Sequence, residues 1–312
     1  MEIFYGIENI NLPLAKTVVT LGNFDGVHIG HQKIFRRLAQ RAEQRACHSV
    51  VLTFYPHPSS LVHPEEPIPL IIPLERRLEL IGELGISVAV CLKFSLEFSQ
   101  MEAKEFLEDI LWDKLHPDLV MVGKNFLFGK ARQGTTELIR ATGERLGFEL
   151  EVVDPVYRGE TMVSSSAIRQ LVADGKMEET AQMQGGAFEL SGRVAAGRRL
   201  GRELGFPTAN LQCLNELHPR NGIYACLAQV EGQLYQAAVN VGTAPTVGST
   251  EPTVEAFLLD YQGDLYGKEV KLFFHHWLRE ERKFSTLLAL SAQIGKDVAK
   301  TRALLGGLRQ KV

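Results

Sequence analysis

The chain has 312 residues but only four cysteines, at positions 47, 91, 213 and 226, and no two stand in a Cys-x-x-Cys spacing. Neither a disulfide framework nor a paired-thiolate motif is therefore expected. Cys91 and Cys226 fall inside apolar strand-like runs, SVAVCL and IYACLAQV, which points to buried thiols in a reducing compartment. An excess of basic charge is also missing. Lys and Arg number 34 against 37 Asp and Glu, for a formal net charge of -3, so no chain-wide footprint for nucleic acid is present. No apolar run approaches the roughly 20 residues needed to cross a bilayer. The start, MEIFYGIENI, lacks the charged region and apolar core of a secretory signal. Internal repeats and low-complexity tracts are absent too. A cytoplasmic protein with no membrane and no nucleic-acid partner is expected, and its oligomeric state is not legible.

What is present is the balance of a well-cored protein, 45% hydrophobic and 23% charged, long enough for two domains. Short β-branched runs at 17–21, 49–55, 87–92, 118–122 and 150–153 alternate with amphipathic stretches at 74–84, 102–115 and 135–146. In HQKIFRRLAQRAEQR, Ile34, Leu38 and Ala42 share one face while Arg36, Arg37 and Arg41 point elsewhere. Alternating strand and helix predicts a parallel sheet covered on both faces, a Rossmann-like α/β layer. Two short helices, 165–173 and 177–183, close this part. Beyond Gly185-Gly186 strand-like runs follow one another at 187–195, 222–230, 233–241, 253–260 and 269–277. That succession, with Gly-containing turns, predicts an antiparallel barrel or sandwich, with a final helix over 285–305. Domains over 1–184 and 185–312 are expected.

GNFDGVHIGHQ, residues 22–32, bridges the end of a strand and the start of a helix. Ligands of open parallel sheets bind at the carboxyl ends of strands, and a helix N-terminus with unpaired N–H groups suits phosphate. Gly22, Gly26 and Gly30 allow close backbone approach, and the imidazoles of His28 and His31 can donate to phosphate oxygens, stabilising charge on a reacting α-phosphorus. A capping turn is an alternative, as is a zinc site completed by His57 or His63. MVSSSAIRQL, residues 162–171, adds three hydroxyls and an arginine at another predicted helix start. One of Ser164 to Ser166 suffices as a cap, and Arg169 lies one turn on, within reach of the same phosphates.

The second half holds SGRVAAGRRLGRELGFPTANL, residues 191–211, whose glycines, Gly197 among them, follow no Walker spacing. In the extended Pro207-Thr208-Ala209-Asn210, Thr208 and Asn210 project on one side and present hard oxygen ligands suited to Mg²⁺ carrying ATP phosphates. The alternative is a polar strand edge. Glu255 alternates onto the face of Phe257 and Leu259, where a carboxylate is either a general base or an edge-strand charge that blocks aggregation.

The longer strings LGNFDGVHIGHQ, TFYPHP (53–58), VGKNFLFG (122–129) and VSSSAIR (163–169) resemble the bacterial bifunctional riboflavin kinase/FAD synthetase family. GRVxxGxxxGxxLGFPTANL, NVGTAPTVG (240–248), VEAFLLDY (254–261), DLYG (264–267) and LREERKF (278–284) resemble its kinase module. The resemblance implies a nucleotidylyltransferase domain followed by a six-stranded barrel with a C-terminal helix. It also implies two reactions: riboflavin and ATP give FMN, then FMN and ATP give FAD and pyrophosphate, with Mg²⁺ as cofactor and small molecules as the only partners. Under it His28 and His31 stabilise the triphosphate, and Gly22, Asn23 and Phe24 line the nucleotide pocket. Asn125 contacts nucleotide or flavin, Ser165, Ser166 and Arg169 grip phosphates, and Gly197 belongs to the ATP or flavin loop. Thr208 and Asn210 serve Mg-ATP, Glu255 is the catalytic base, and Arg279 lies near the flavin. This sequence departs from the family pattern at Asn125, Leu127, Ser166, Ala244 and Phe257, where Asp, Arg, Thr, Arg and His respectively are usual. A class I aminoacyl-tRNA synthetase also carries HIGH, but a basic tRNA-binding appendage and a KMSKS-like loop are missing here. A flavin-responsive binding module that has lost turnover is the alternative from another class.

Overall fold

The computed structural model describes residues 1–10, 16–195, 205–243 and 252–307. Two compact units emerge, one of Met1–Leu70 with Leu74–Val163, the other of Ile71–Pro73 with Ser164–Val312.

In the first unit the elements run β1 (Glu2–Tyr5), β2 (Thr17–Leu21), α1 (Ile29–Gln44), β3 (His48–Tyr55), α2 (Pro58–Val62), α3 (Leu74–Glu83) and β4 (Val88–Lys93). A broken helix follows: α4 (Ala103–Glu105) widens into π-helical turns over Phe106–Trp112 and resumes as α5 (Asp113–Leu115). Then come β5 (Pro117–Gly123), α6 (Thr136–Leu146), β6 (Glu149–Val153) and a small hairpin of β7 (Tyr157–Arg158) and β8 (Thr161–Met162). The sheet is parallel, in the order β1-β4-β3-β2-β5-β6. Strand β2, TVVTL, is buried at every position, as a strand covered on both faces must be. Helix α1 buries Phe35, Leu38 and Ala42, so Phe35 and not Ile34 heads its inner face.

Strand β1 was not legible in the sequence because EIFY alternates too briefly, and its burial pattern leaves only Phe4 buried. The order reverses between β2 and β5: the chain leaves β2 toward β3 and leaves β5 toward β6, on opposite sides. Loops after β2 and β5 thus flank the crevice where such sheets bind ligands.

The second unit holds α7 (Ser165–Ala173), α8 (Met177–Gln184), then β9 (Phe188–Ala195), β10 (Ala209–Cys213), β11 (Gly222–Val230), β12 (Gln233–Thr243), β13 (Pro252–Leu258), β14 (Glu269–Arg279) and α9 (Leu287–Leu305). The six strands close an antiparallel barrel in the order β10-β13-β12-β11-β14-β9, which decides for a barrel against a sandwich. Closure leaves no free sheet edge. Alternation over residues 238–241 of β12 and along β13 buries Val239, Val241, Val254, Ala256 and Leu258. On the outer face Ala225, Leu227, Phe273 and Leu278 pack with Leu305 of α9. All four cysteines are free, and Cys91 and Cys226 are buried.

Candidate active sites in the two units

The loop from Leu21 to Ile29 is bent by three residues with positive φ: Phe24 at 53°, Gly26 at 82° and Val27 at 40°. Two of these carry side chains, a conformation that costs energy and persists only where surroundings hold it. Several contacts do so. Phe24 is 4% exposed and meets Phe35 at 4.8 Å and His31 edge-on at 5.3 Å between ring centroids. Gly22 makes room for that ring, since a Cβ there would come within 3.0 Å of it. Asn23 offers its carbonyl to two donors, Thr53 Oγ1 of β3 at 3.2 Å and Arg77 Nη1 of α3 at 2.6 Å. Gln32 donates to the Val27 carbonyl at 3.0 Å.

His28 is the N-cap of α1. Its Nδ1 accepts the backbone N–H of His31 at 3.3 Å, so the sequence's capping alternative holds, yet it does not exhaust the residue. Accepting at Nδ1 leaves the proton of a neutral ring on Nε2, turned away from the cap. The His28 and His31 rings stack, 3.5 Å between centroids and 19° between planes. Burial pushes His28 down to about 4. His31 is also held well below its ordinary value, first by burial and then by the charges of His28 and Arg77. Both rings are thus neutral donors at pH 7. Nδ1 of His31 is buried without a hydrogen-bond partner. Gly30 is required by the same stack, because a Cβ there would stand 3.1 Å from the His28 ring. His57, the alternative zinc ligand, instead caps α2 by accepting the Ser59 N–H at 3.2 Å. Among the described residues no group of three or more His, Cys, Asp or Glu could hold a metal.

Asn125 sits in an exposed turn past the end of β5, across the switch point from that loop, with its amide nitrogen 3.9 Å from Met162 Sδ. Beside it lies an aromatic group the sequence reading missed. Phe126 and Phe128 stack at 5.6 Å, and Phe128 continues through Phe106 to Phe98. Phe126 and Phe128 stand within VGKNFLFG, but Phe98 and Phe106 lie far away in sequence, and only the fold unites them.

In the second unit Ser164 takes the cap, accepting the Ala167 N–H at 3.2 Å. Ser165 and Ser166 therefore stand in the first turn of α7, with Arg169 one turn on. On the barrel, register lines up three polar residues from adjacent strands. Asn210 of β10 pairs with Glu255 of β13, which pairs in turn with Asn240 of β12. Directly paired residues project to one side with Cβ atoms about 5 Å apart. The row faces outward, because its buried neighbours Ala209, Leu211, Val254, Ala256, Val239 and Val241 alternate with it. A carboxylate is thus flanked by two carboxamides, and Oδ1 of Asn240 is buried without a hydrogen-bond partner. Thr208 precedes Asn210 by two residues, as the alternation required. Phe206 meets Phe257 edge-on at 5.4 Å on the same face. Gly242 leaves space that the Glu281 carboxylate fills. Asn240 and Glu281 were not singled out from sequence, because strand register brings Asn240 to Glu255 and only packing brings Glu281 to Gly242.

Arg279 is committed to the C-terminal helix. It donates from Nε and Nη2 to the Asp297 carboxylate at 3.1 and 2.7 Å, and Nη1 donates to the Glu280 carbonyl at 2.8 Å. Gly197 lies outside the described residues, as does Ala244.

The FAD synthetase family model matches residues 11–167, and the riboflavin kinase family model matches residues 184–305. A bifunctional riboflavin kinase/FMN adenylyltransferase from Pseudomonas fluorescens is 36% identical over 97% of this chain and 98% of its own. The chain belongs to the bifunctional riboflavin kinase/FMN adenylyltransferase family. A second member of that family, from Escherichia coli K12, is 33% identical over 98% of both chains. A solved structure described as a macrolide-efflux protein from Streptococcus pneumoniae superposes with a TM-score of 0.88 at 28% identity, covering 97% of this chain and 99% of that one. Among the described residues, no helix here is long and apolar enough to cross a membrane. As a family member the chain is an enzyme of flavin-cofactor biosynthesis, with a kinase and an adenylyltransferase activity.

Proposed function

We propose that the two activities reside in two separate sites, one on the loops after β2 and β5, the other on the outward row of the barrel. The functional boundary falls at 184, so 1–184 carries adenylyl transfer and 185–312 carries phosphorylation. In adenylyl transfer a phosphate oxygen of FMN attacks the α-phosphorus of ATP, the bond to the β-phosphate oxygen breaks, and pyrophosphate leaves. His28 and His31 donate to oxygens that gain charge in this step. Removing one such preorganised donor costs on the order of 100- to 1000-fold in rate. Support comes from the stacked, neutral imidazoles at a helix N-terminus beside the topological switch point. Gly22, Asn23 and Phe24 shape the nucleotide side of the loop. Ser165, Ser166 and Arg169, in the first turns of α7, are hydroxyls and a guanidinium of the kind that binds phosphate. Asn125 and the Phe126–Phe128 pair present a polar group and flat apolar faces to the flavin ring.

In riboflavin phosphorylation Glu255 takes the proton of the primary hydroxyl as its oxygen attacks the γ-phosphorus and ADP leaves. Asn210 and Asn240, flanking it in register, fix the carboxylate's orientation. The donor set at this row fits Mg²⁺: a hydroxyl from Thr208 and a carboxamide from Asn210 are hard oxygen ligands, few enough to leave places for water and phosphate. Bound there, Mg²⁺ neutralises charge on the ATP phosphates. Gly197 contributes to the phosphate loop, and Arg279 borders the flavin from its seat on Asp297. ATP, riboflavin and FMN are the small-molecule partners, and the enzyme works in the cytoplasm. The in-register carboxylate flanked by two carboxamides is the observation that carries this half of the reading. Glu255→Gln tests it. Riboflavin phosphorylation should cease while FAD synthesis from supplied FMN continues. Retained phosphorylation would remove Glu255 as the base.

A further inference from the structure

Arg77 is buried completely, and it lies outside every motif string that carries the family resemblance. An arginine in that setting is rare, because a guanidinium withdrawn from water needs strong compensation. It finds part of that in the first unit's loop: Nη1 donates to the Asn23 carbonyl at 2.6 Å, a short, charge-assisted bond. We propose that Arg77 is a positioning residue for adenylyl transfer, holding from below the loop that carries His28 and His31. This rests on the reading of that loop as the adenylyl-transfer site.

The mechanical link is short. Asn23 separates Gly22 from Phe24, whose φ of 53° is strained, and the Phe24 ring supports the edge of the His31 ring at 5.3 Å. Arg77 and Thr53 together fix the peptide from which this turn departs. Loss of the shorter bond frees the Phe24 turn, and with it the tilt of His31 against His28. A second link is electrostatic. The guanidinium is a fixed cation acting on His31, alongside His28, and both act to keep the ring uncharged. Other charged or titratable groups nearby are Asp25, buried in the same loop, Cys91 on β4, which feels Arg77, and Glu75 on α3, which acts on Cys91. A neutral His31 donates one N–H to a phosphate oxygen. An imidazolium would instead pair with the triphosphate already in the ground state, which lowers KM without raising kcat.

Arg77→Met and Arg77→Lys test this in the full chain, with circular dichroism and the denaturation midpoint of the first unit as the measure of intact folding and riboflavin kinase activity as a control for the second unit. In the Met variant, kcat/KM for FMN adenylylation should fall on the order of 100-fold, as misplacement by about an ångström does elsewhere. The loss should lie mainly in kcat, with phosphorylation unchanged. The Lys variant keeps the charge and should recover most of the rate. NMR of labelled histidine gives a readout that a merely structural role leaves still: the His31 ring should titrate at higher pH in the Met variant and at its wild-type pH in the Lys variant. A folded Met variant with wild-type adenylylation, or one whose His31 titration is unmoved, overturns the proposal. Should the Met variant not fold, the Lys variant decides, and adenylylation as low as in His31→Ala overturns it. Failure of the underlying reading looks different: His28→Ala and His31→Ala would themselves retain adenylylation.

Discussion

His28 accepts the backbone N–H of His31 at its Nδ1 and lies stacked on the His31 ring, 3.5 Å between centroids. One side chain thus closes the helix N-terminus and presents its remaining N–H from a fixed direction. Cap and proposed phosphate ligand are the same residue.

That geometry has a consequence for stability. His28 in the fold titrates at about 4, against an ordinary 6.5. Between these values the unfolded chain binds a proton that the folded chain refuses, so stability falls as pH drops through the window. The span corresponds to about 3 kcal/mol at most, and His31 acts in the same direction. Denaturation midpoints of the first unit at pH 7.5 and 5 should therefore differ. His28→Asn keeps a capping acceptor without the titration and should flatten the dependence. An unchanged slope in that variant would show that His28 is not the group responsible.

Gly30→Ala places a methyl 3.1 Å from the His28 ring, which is already stacked on His31. The ring must turn, and its N–H with it. FMN adenylylation is expected to fall roughly 10- to 100-fold through kcat, while riboflavin phosphorylation is untouched. Steady-state assays of the two half-reactions check this, and equal loss of both would contradict it.

Asn240→Ala removes one of the two amides beside Glu255. Phosphorylation should drop about tenfold or more in kcat, with FAD synthesis from FMN unaffected. A kinase rate equal to wild type would leave Asn240 without a role in the row.

The Arg279–Asp297 pair ties α9 to the end of β14, with the carboxylate side chain 8% exposed and the arginine side chain 20% exposed. Asp297→Ala leaves a largely buried guanidinium without its partner. Removing one member of such a pair costs about 3 kcal/mol, read as a lower thermal midpoint for riboflavin phosphorylation.

The alternation of strands and helices to residue 153, and of strands alone beyond 187, is local, and it showed in the sequence as two periods. So did the helix start at His28 and the shared side of Thr208 and Asn210. Asn240, Glu281, Arg77 and Asp297 were not legible, because each becomes relevant only through register or packing across many residues. Asn240 reaches Glu255 by strand pairing, and Arg77 reaches Asn23 from another helix. The broken helix over 103–115 reads as one amphipathic stretch in the sequence, which carries no residue signal for the widened π-helical turns over Phe106–Trp112. Resemblance to a family identified Arg279 as near the flavin, whereas its own hydrogen bonds run to Asp297 and Glu280.

The central claim is that two independent ATP-dependent sites act in sequence on one flavin. Incubation of the His31→Ala variant with riboflavin, ATP and Mg²⁺, followed by separation of the flavins, tests it most directly. FMN should accumulate at the wild-type rate with no FAD formed. Undiminished FAD, or loss of both products in a folded protein, would contradict it.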